Sequence, residues 1–271
     1  MKINIESQTD LNNLRNSTPD DFWGGVYLQL AEELNGIVMP WVKGAKEVAA
    51  SEMKKQLRLH HPLPLHLMFP CSAKGTKFNY FVHFFASSAD EANHPQVAII
   101  AFLGMPGESF YAFLPTTTPD GELLVDFFTP HCILQYAKRA PRHNVEQRKV
   151  PESLELSKLP IVEENTQLNE KAARDLVNLN QVMSLFMGHN KNMISDQNPT
   201  ISSRETQKTS NNDGCFTLWM DGITYDRIFY EGHMLMHVTY IHHEGLYNDQ
   251  KKAILEALKT ALINEVSDNN L

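Results

Sequence analysis

Apolar residues recur at every fourth position near the start of the chain, gather into short runs through its middle, and return to helical spacing further on. "STPDDFWGGVYLQLAEELNG" places Phe22, Val26, Leu30 and Leu34 at i, i+4 steps, which predicts one buried helical face. Thr18 reads as its N-cap, Pro19 as its first helical residue, Asp20 and Asp21 as first-turn acids, and Gly36 as its stop. A second helix is expected from about Lys46 to His60, ended by Pro62, with Val48, Met53 and Leu57 as a thinner stripe.

The period then shortens. "KFNYFVHFFAS", "QVAIIAFLG", "ESFYAFLP" and "ELLVDFF" are apolar or aromatic runs separated by "SADEANHP", "MPG" and "TTTPDG". Runs bounded by Gly, Pro and Asp read as strands, and connections this short favour antiparallel neighbours, so a β-meander of about four strands is expected, with "PLHLMF" as a candidate fifth. A Pro- and Glu-containing connector, 144–168, shows no period and is where one domain would divide into two. "NEKAARDLVNLNQVMSLFMG" predicts a helix through Ala172, Leu176, Leu179, Met183 and Phe186, and 189–213 is polar, free of aromatics and expected as a mobile loop. "CFTLWM", "ITYDRIFY" and "HMLMHVTYI" follow as three strands, the first pair joined by an Asp-Gly turn, and a last helix is expected from Asn248 to Val266. The whole reads as one α+β domain, 1–271: antiparallel meander sheets with N-terminal helices, a middle helix and a C-terminal helix.

Composition narrows the class. The chain has 271 residues, enough for a core without staples, and its 42% apolar and 21% charged content is that of a globular protein. Cys71, Cys132 and Cys215 form no CxxC pair, and the N-terminus lacks a secretory pattern, so reduced thiols and a cytoplasmic location are expected. No window offers the roughly 20 apolar residues of a membrane span. A net charge of −8 argues against a general affinity for nucleic acid or anionic lipid, though a local basic patch can reverse that at one site.

Twelve histidines raise the question of a metal. "GHMLMHVTYIHHEG" would pair His233 with His237 on a helix, but its β-branched and aromatic residues favour a strand. There, residues four apart are separated by about 13 Å, too far for one ion bound at about 2 Å. Alternation assigns Met234, Met236, Val238 and Tyr240 to a core face, and His233, Leu235, His237, Thr239 and Ile241 to a half-solvated or cleft-lining face. His242, His243 and Glu244 offer a ligand pair at the strand end, but solvated loop histidines are the commoner outcome, and no metal or other cofactor is expected. His83, in "YFVHFF", reads as a buried neutral core histidine, or as an acid or base if it faces a pocket beside His131.

"FTPHCILQYAKRAPRH" carries the densest chemistry. Thr129 and Pro130 start a helix, leaving His131 as a first-turn acid or base, Tyr136 one turn on as an orienting group, and Arg139 and Arg142 as forks for phosphate or carboxylate. Downstream, "KRAPRHNVEQRK" reverses the local sign of charge, which a solvated helix end also explains. There is no GxSxG, no GxxxxGK[ST] and no strand-linked GxGxxG.

The strand followed by a "TPH…Y…R" helix resembles an element of uncharacterised bacterial proteins, over 128–139 and the later "VTYIHHEGLYNDQ"; that resemblance implies no activity. Helices before an antiparallel meander also look like the small endoribonuclease toxins of the RelE and colicin type. That likeness implies His, Tyr and Arg side chains acting on RNA phosphates, in a chain here much longer and more acidic. Two readings follow. One is a metal-independent phosphodiester-cleaving enzyme acting on RNA, with His131, Tyr136 and Arg139 catalytic and Arg142, His83 and His237 at the substrate. The other is a non-catalytic module that engages a protein partner through an exposed sheet face and the 189–213 loop.

Overall fold

The computed structural model describes residues 19–71, 76–104, 110–139, 180, 182–184, 214–219 and 222–252. Helix α1 (Pro19–Glu33) does not end at Gly36. It passes through a π turn (Leu34–Val38) into α2 (Met39–Arg58), so the expected stop and the start at Lys46 are both corrected. The buried residues explain why: Phe22, Val26, Leu30, Leu34, Val38 and Val42 continue the four-residue step without interruption. On an α-helix that step drifts about 40° each time, and the wider π turn takes up drift while keeping the stripe on one side. Pro40 lies in the first turn of α2, where its missing N–H is tolerated.

The eight strands among the described residues form one sheet. β1 (Leu65–Cys71), β2 (Asn79–Ala86), β3 (Gln96–Leu103), β4 (Tyr111–Thr117) and β5 (Leu123–Phe128) pair antiparallel in succession. β6 (Gly214–Trp219), β7 (Gly222–Phe229) and β8 (Met234–His242) do the same. A parallel pairing of β5 with β8, from Val125↔Met234 to Phe128↔His237, joins the two sets. The fold is therefore α+β with a mostly antiparallel sheet.

Both faces of the sheet are covered, which is why β2 buries residues on both sides. Under α1 and α2 lie Leu67, Phe69, Tyr80, Val82, Phe84, Phe113 and Phe127, with Trp23 set 4.5 Å from Phe127. On the other face, α3 (Pro130–Arg139) and Met183 close over Phe81, Ile100, Phe102, Phe128 and Tyr240. Each fully buried phenylalanine contributes roughly 2–3 kcal/mol. Asn180 and 182–184 are helical, as the middle-helix pattern predicts. The remainder of that helix, the connector 144–168, the 189–213 segment, Arg142 and the last helix beyond residue 252 lie outside the described residues.

Candidate functional site at the open end of β8

β5 accompanies β8 only as far as His237, yet β8 runs on to His242. The freed edge is sealed by α3. Thr129 N–H donates to His237 O at 3.1 Å, the Thr129 hydroxyl donates to Val238 O at 2.7 Å, and Arg139 Nη1–H donates to Tyr240 O at 2.7 Å. The same hydroxyl accepts from Cys132 N–H at 3.1 Å, so Thr129 caps α3 as its sequence predicts. Arginine at the far end of the helix thus does for β8 what a neighbouring strand would do.

A bulge changes which side chains meet here. Asp226 pairs with His237 and Tyr225 with Thr239, so Val238 has no partner on β7 and the alternation shifts by one residue. Tyr240 therefore joins His237 on the α3 side, where Tyr136 packs edge-on against it at 5.1 Å. This corrects the face assigned to Tyr240 by simple alternation.

His237 is buried in a polar network that ties β6, β7 and β8 together. Its Nδ1 lies 2.8 Å from Asp226 Oδ1 and 3.0 Å from Thr224 Oγ1; the Thr217 hydroxyl donates to Asp226 Oδ2 at 2.6 Å and Trp219 Nε1–H to Thr224 Oγ1 at 2.8 Å. Nε2 has no hydrogen-bond partner among the described residues, and the ring lies against Phe128 at 4.3 Å. Sequence reading missed Asp226, Thr217 and Thr224. The available signal was Thr224 and Asp226 two residues apart on β7, facing the one polar side chain of β6, Thr217.

His83 lies four strands away, roughly 19 Å at ordinary strand spacing. Its Nε2 pairs with Asn180 Oδ1 at 3.0 Å and its Nδ1 with His66 Nε2 at 2.9 Å, while the Asn180 amide donates to Met68 sulfur. Because a carbonyl oxygen only accepts, Nε2 carries the proton of His83 and Nδ1 receives one from His66. Burial, followed by the neighbouring His66, lowers the pKa of His83 to about 3. His83 is accordingly the neutral core histidine expected from "YFVHFF".

The structure brings few of the six candidates together. His131 is exposed at the first turn of α3, about 12 Å along the helix from Arg139. Tyr136 is buried beneath that helix and His83 and His237 are enclosed, whereas Arg139 lines an open cleft; Arg142 lies outside the described residues. That cleft, of about 570 Å³, is lined by Arg139, Thr239, Ile241, His242, Glu244 and Gly245. At its rim, His242, His243 and Glu244 hold ligand-type atoms within 4.8 Å of one another. His242 and His243 rings are 4.1 Å apart, and His242 Nδ1 accepts from Glu244 N–H at 3.3 Å. Two stretches singled out in the sequence, 128–139 and the end of "VTYIHHEG", therefore meet in space.

β7 fixes this end of β8. Gly222 pairs with His242, and a Cβ there would strike the Ile241 carbonyl oxygen and touch His242 Cα at 3.0 Å. Gly222 begins β7 paired with Trp219, and glycine there serves close backbone approach. No described helix is long and apolar enough to cross a membrane. Comparison of the chain with protein-family models, curated proteins and solved structures returned no match.

Proposed function

We propose that the protein cleaves phosphodiesters of RNA, with the cleft between α3 and the end of β8 as its working site. The observation that carries this reading is that Arg139, His242 and Glu244 line one open cleft, with His243 at its rim. Guanidinium has five N–H donors in a planar fork, and Arg139 commits one of them to Tyr240 O. That bond holds the group still, and the rest of the fork suits a phosphoryl group carrying negative charge. Activation of the attacking hydroxyl falls to the groups at the end of β8, within one cleft width of the anion holder. His131, too far along the helix, is not needed.

The test is cleavage of a single-stranded RNA and of its deoxy counterpart by wild type, Arg139→Ala and Arg139→Lys. RNA cleavage that falls about 100-fold or more in both variants supports the reading, because lysine lacks the fork. RNA left intact by the wild type, or cut by both variants as fast as by the wild type, removes it.

A second reading, a protein-binding module, is supported by one separate feature. Tyr225 and Ile228 on β7 are 42% and 39% exposed in a sheet whose other large apolar residues are mostly covered. Aromatic anchors of this kind dominate binding energy at protein interfaces. A partner retained by wild type and lost by Tyr225→Ser, with RNA left intact, would favour it.

A further inference from the structure

We infer that His242, His243 and Glu244 form a binding site for a divalent transition-metal ion of the zinc class. This inference rests on the cleft reading for its role but not for its existence, and it departs from the metal-free chemistry expected from the sequence. Two neutral imidazoles and a carboxylate are the donor set such ions prefer, and all three ligand-type atoms lie within 4.8 Å of one another. Donors bound to one zinc ion at about 2.1 Å each stand roughly 3.4 Å apart in tetrahedral geometry and at most about 4.2 Å apart. His242 Nδ1 and Glu244 Oε2 are already 3.9 Å apart, and the ion takes the Nδ1 lone pair in place of the long 3.3 Å bond from Glu244 N–H. The remaining adjustment falls to the side chains at the surface: His243 is exposed, and the Glu244 side chain is 82% exposed.

The backbone holds the three donors in place. β8 ends at His242 and the chain turns at once into a 3-10 turn, His243–Gly245, so three consecutive residues converge instead of alternating. His242 is itself fixed by pairing with Gly222. Three protein donors leave coordination positions for water, and the cleft that His242 and Glu244 line is also lined by Arg139. The cation and the guanidinium together complement a doubly contacted phosphoryl group.

The chemistry then closes without further reagents. Bound water ionises near neutral pH, and the bound hydroxide takes the proton of a ribose 2′-hydroxyl. The 2′-oxygen bonds to phosphorus as the bond to the 5′-oxygen breaks. The departing 5′-oxygen takes a proton from the bound water, which restores the hydroxide. The product is a cyclic phosphate and a 5′-hydroxyl, and a deoxy strand cannot react.

Protein stripped with a chelator and dialysed should take up one equivalent of zinc by titration calorimetry. Its cobalt complex should show the intense visible absorption of a four- or five-coordinate site. His243→Ala and Glu244→Ala, both at exposed positions, should weaken binding about 10-fold or more, whereas the exposed surface variant His94→Ala should not. His242→Ala, compared at equal circular dichroism, should abolish the cobalt spectrum. Zinc uptake that is absent, or unchanged in His243→Ala and Glu244→Ala, overturns the site. A hydroxypropyl nitrophenyl phosphate ester, an RNA analogue, separates this from the functional reading: tight zinc binding without turnover leaves the site standing and removes the nuclease. Turnover that persists in chelator without zinc uptake does the reverse.

Discussion

Glu33 shows how one charged side chain can organise a buried corner. Only 3% exposed, at the end of α1, it accepts from Lys77 N–H at 2.7 Å, Phe78 N–H at 3.3 Å, the Tyr80 hydroxyl at 2.9 Å and Gln29 Nε2–H at 2.9 Å. Burial first, and Glu33 second, push the Tyr80 hydroxyl far up from its ordinary range. Removing the carboxylate leaves buried donors unsatisfied, so Glu33→Ala should lower unfolding free energy by on the order of 3 kcal/mol, measured in urea. Glu33→Gln, which keeps an acceptor, should lose less. His83 makes a prediction of the opposite chemical kind. Its folded-state pKa of about 3 lies below the ordinary 6.5, so between those values the unfolded chain binds a proton that the folded chain refuses. The contribution is complete above pH 6.5 and shrinks as pH falls towards 3. By pH 5 the loss should reach ~2 kcal/mol. Urea midpoints from pH 7 to 5 should therefore fall more steeply for wild type than for His83→Gln, and parallel slopes would contradict the assignment. His233 has the contrary sign: a backbone bond to Tyr230 and then Glu122 raise its pKa, so its contribution fades as pH rises.

At the scale of elements, the consequential contact is the helix laid along an open strand edge. Thr129 is both the cap of α3 and a donor to Val238, and Arg139 closes the other end on Tyr240. Thr129→Ala removes a cap and takes the hydroxyl donor from the part-buried Val238 carbonyl, which should cost roughly 1–2 kcal/mol, with Thr129→Ser recovering most of it. Hydrogen exchange at the β8 amides beyond His237 should speed up in the alanine variant ahead of those paired with β5. The cap itself could be read from Thr129-Pro130, because N-cap chemistry is local. The edge seal could not, since nothing near Arg139 in sequence names Tyr240 as its partner. Gly36 failed as a stop for a related reason: a glycine permits a helix to end, but the apolar stripe through Val38 and Val42 makes continuing more favourable. The face of Tyr240 was missed because a bulge is set by pairing with β7, not by β8 alone.

Taken together, the described residues form one sheet with a core on each face, and the two cores share strands residue by residue. Phe127 points into the core under α1 and α2, and Phe128 into the one under α3. The strands themselves were readable from short apolar runs and turn residues, while the parallel β5·β8 junction was not. Period and turn chemistry fix what an element is, but a pairing between residues about a hundred positions apart depends on tertiary packing. That junction also explains why candidate chemistry spread across the sequence did not assemble: it places β2 and β8 four strands apart and so separates His83 from His237. Because the sheet is continuous, neither core can lose its strands without stripping the other, and unfolding should be a single cooperative event. The three tryptophans allow a direct check. Trp23 and Trp41 pack with the first core and Trp219 with the second. Trp219→Phe leaves only first-core reporters, and a Trp23→Phe, Trp41→Phe double variant leaves only the second. Each variant's fluorescence midpoint in urea should coincide with its own circular-dichroism midpoint. If instead the Trp219 signal changes at lower urea than the far-ultraviolet signal of the same protein, β6–β8 and α3 form a separately unfolding unit.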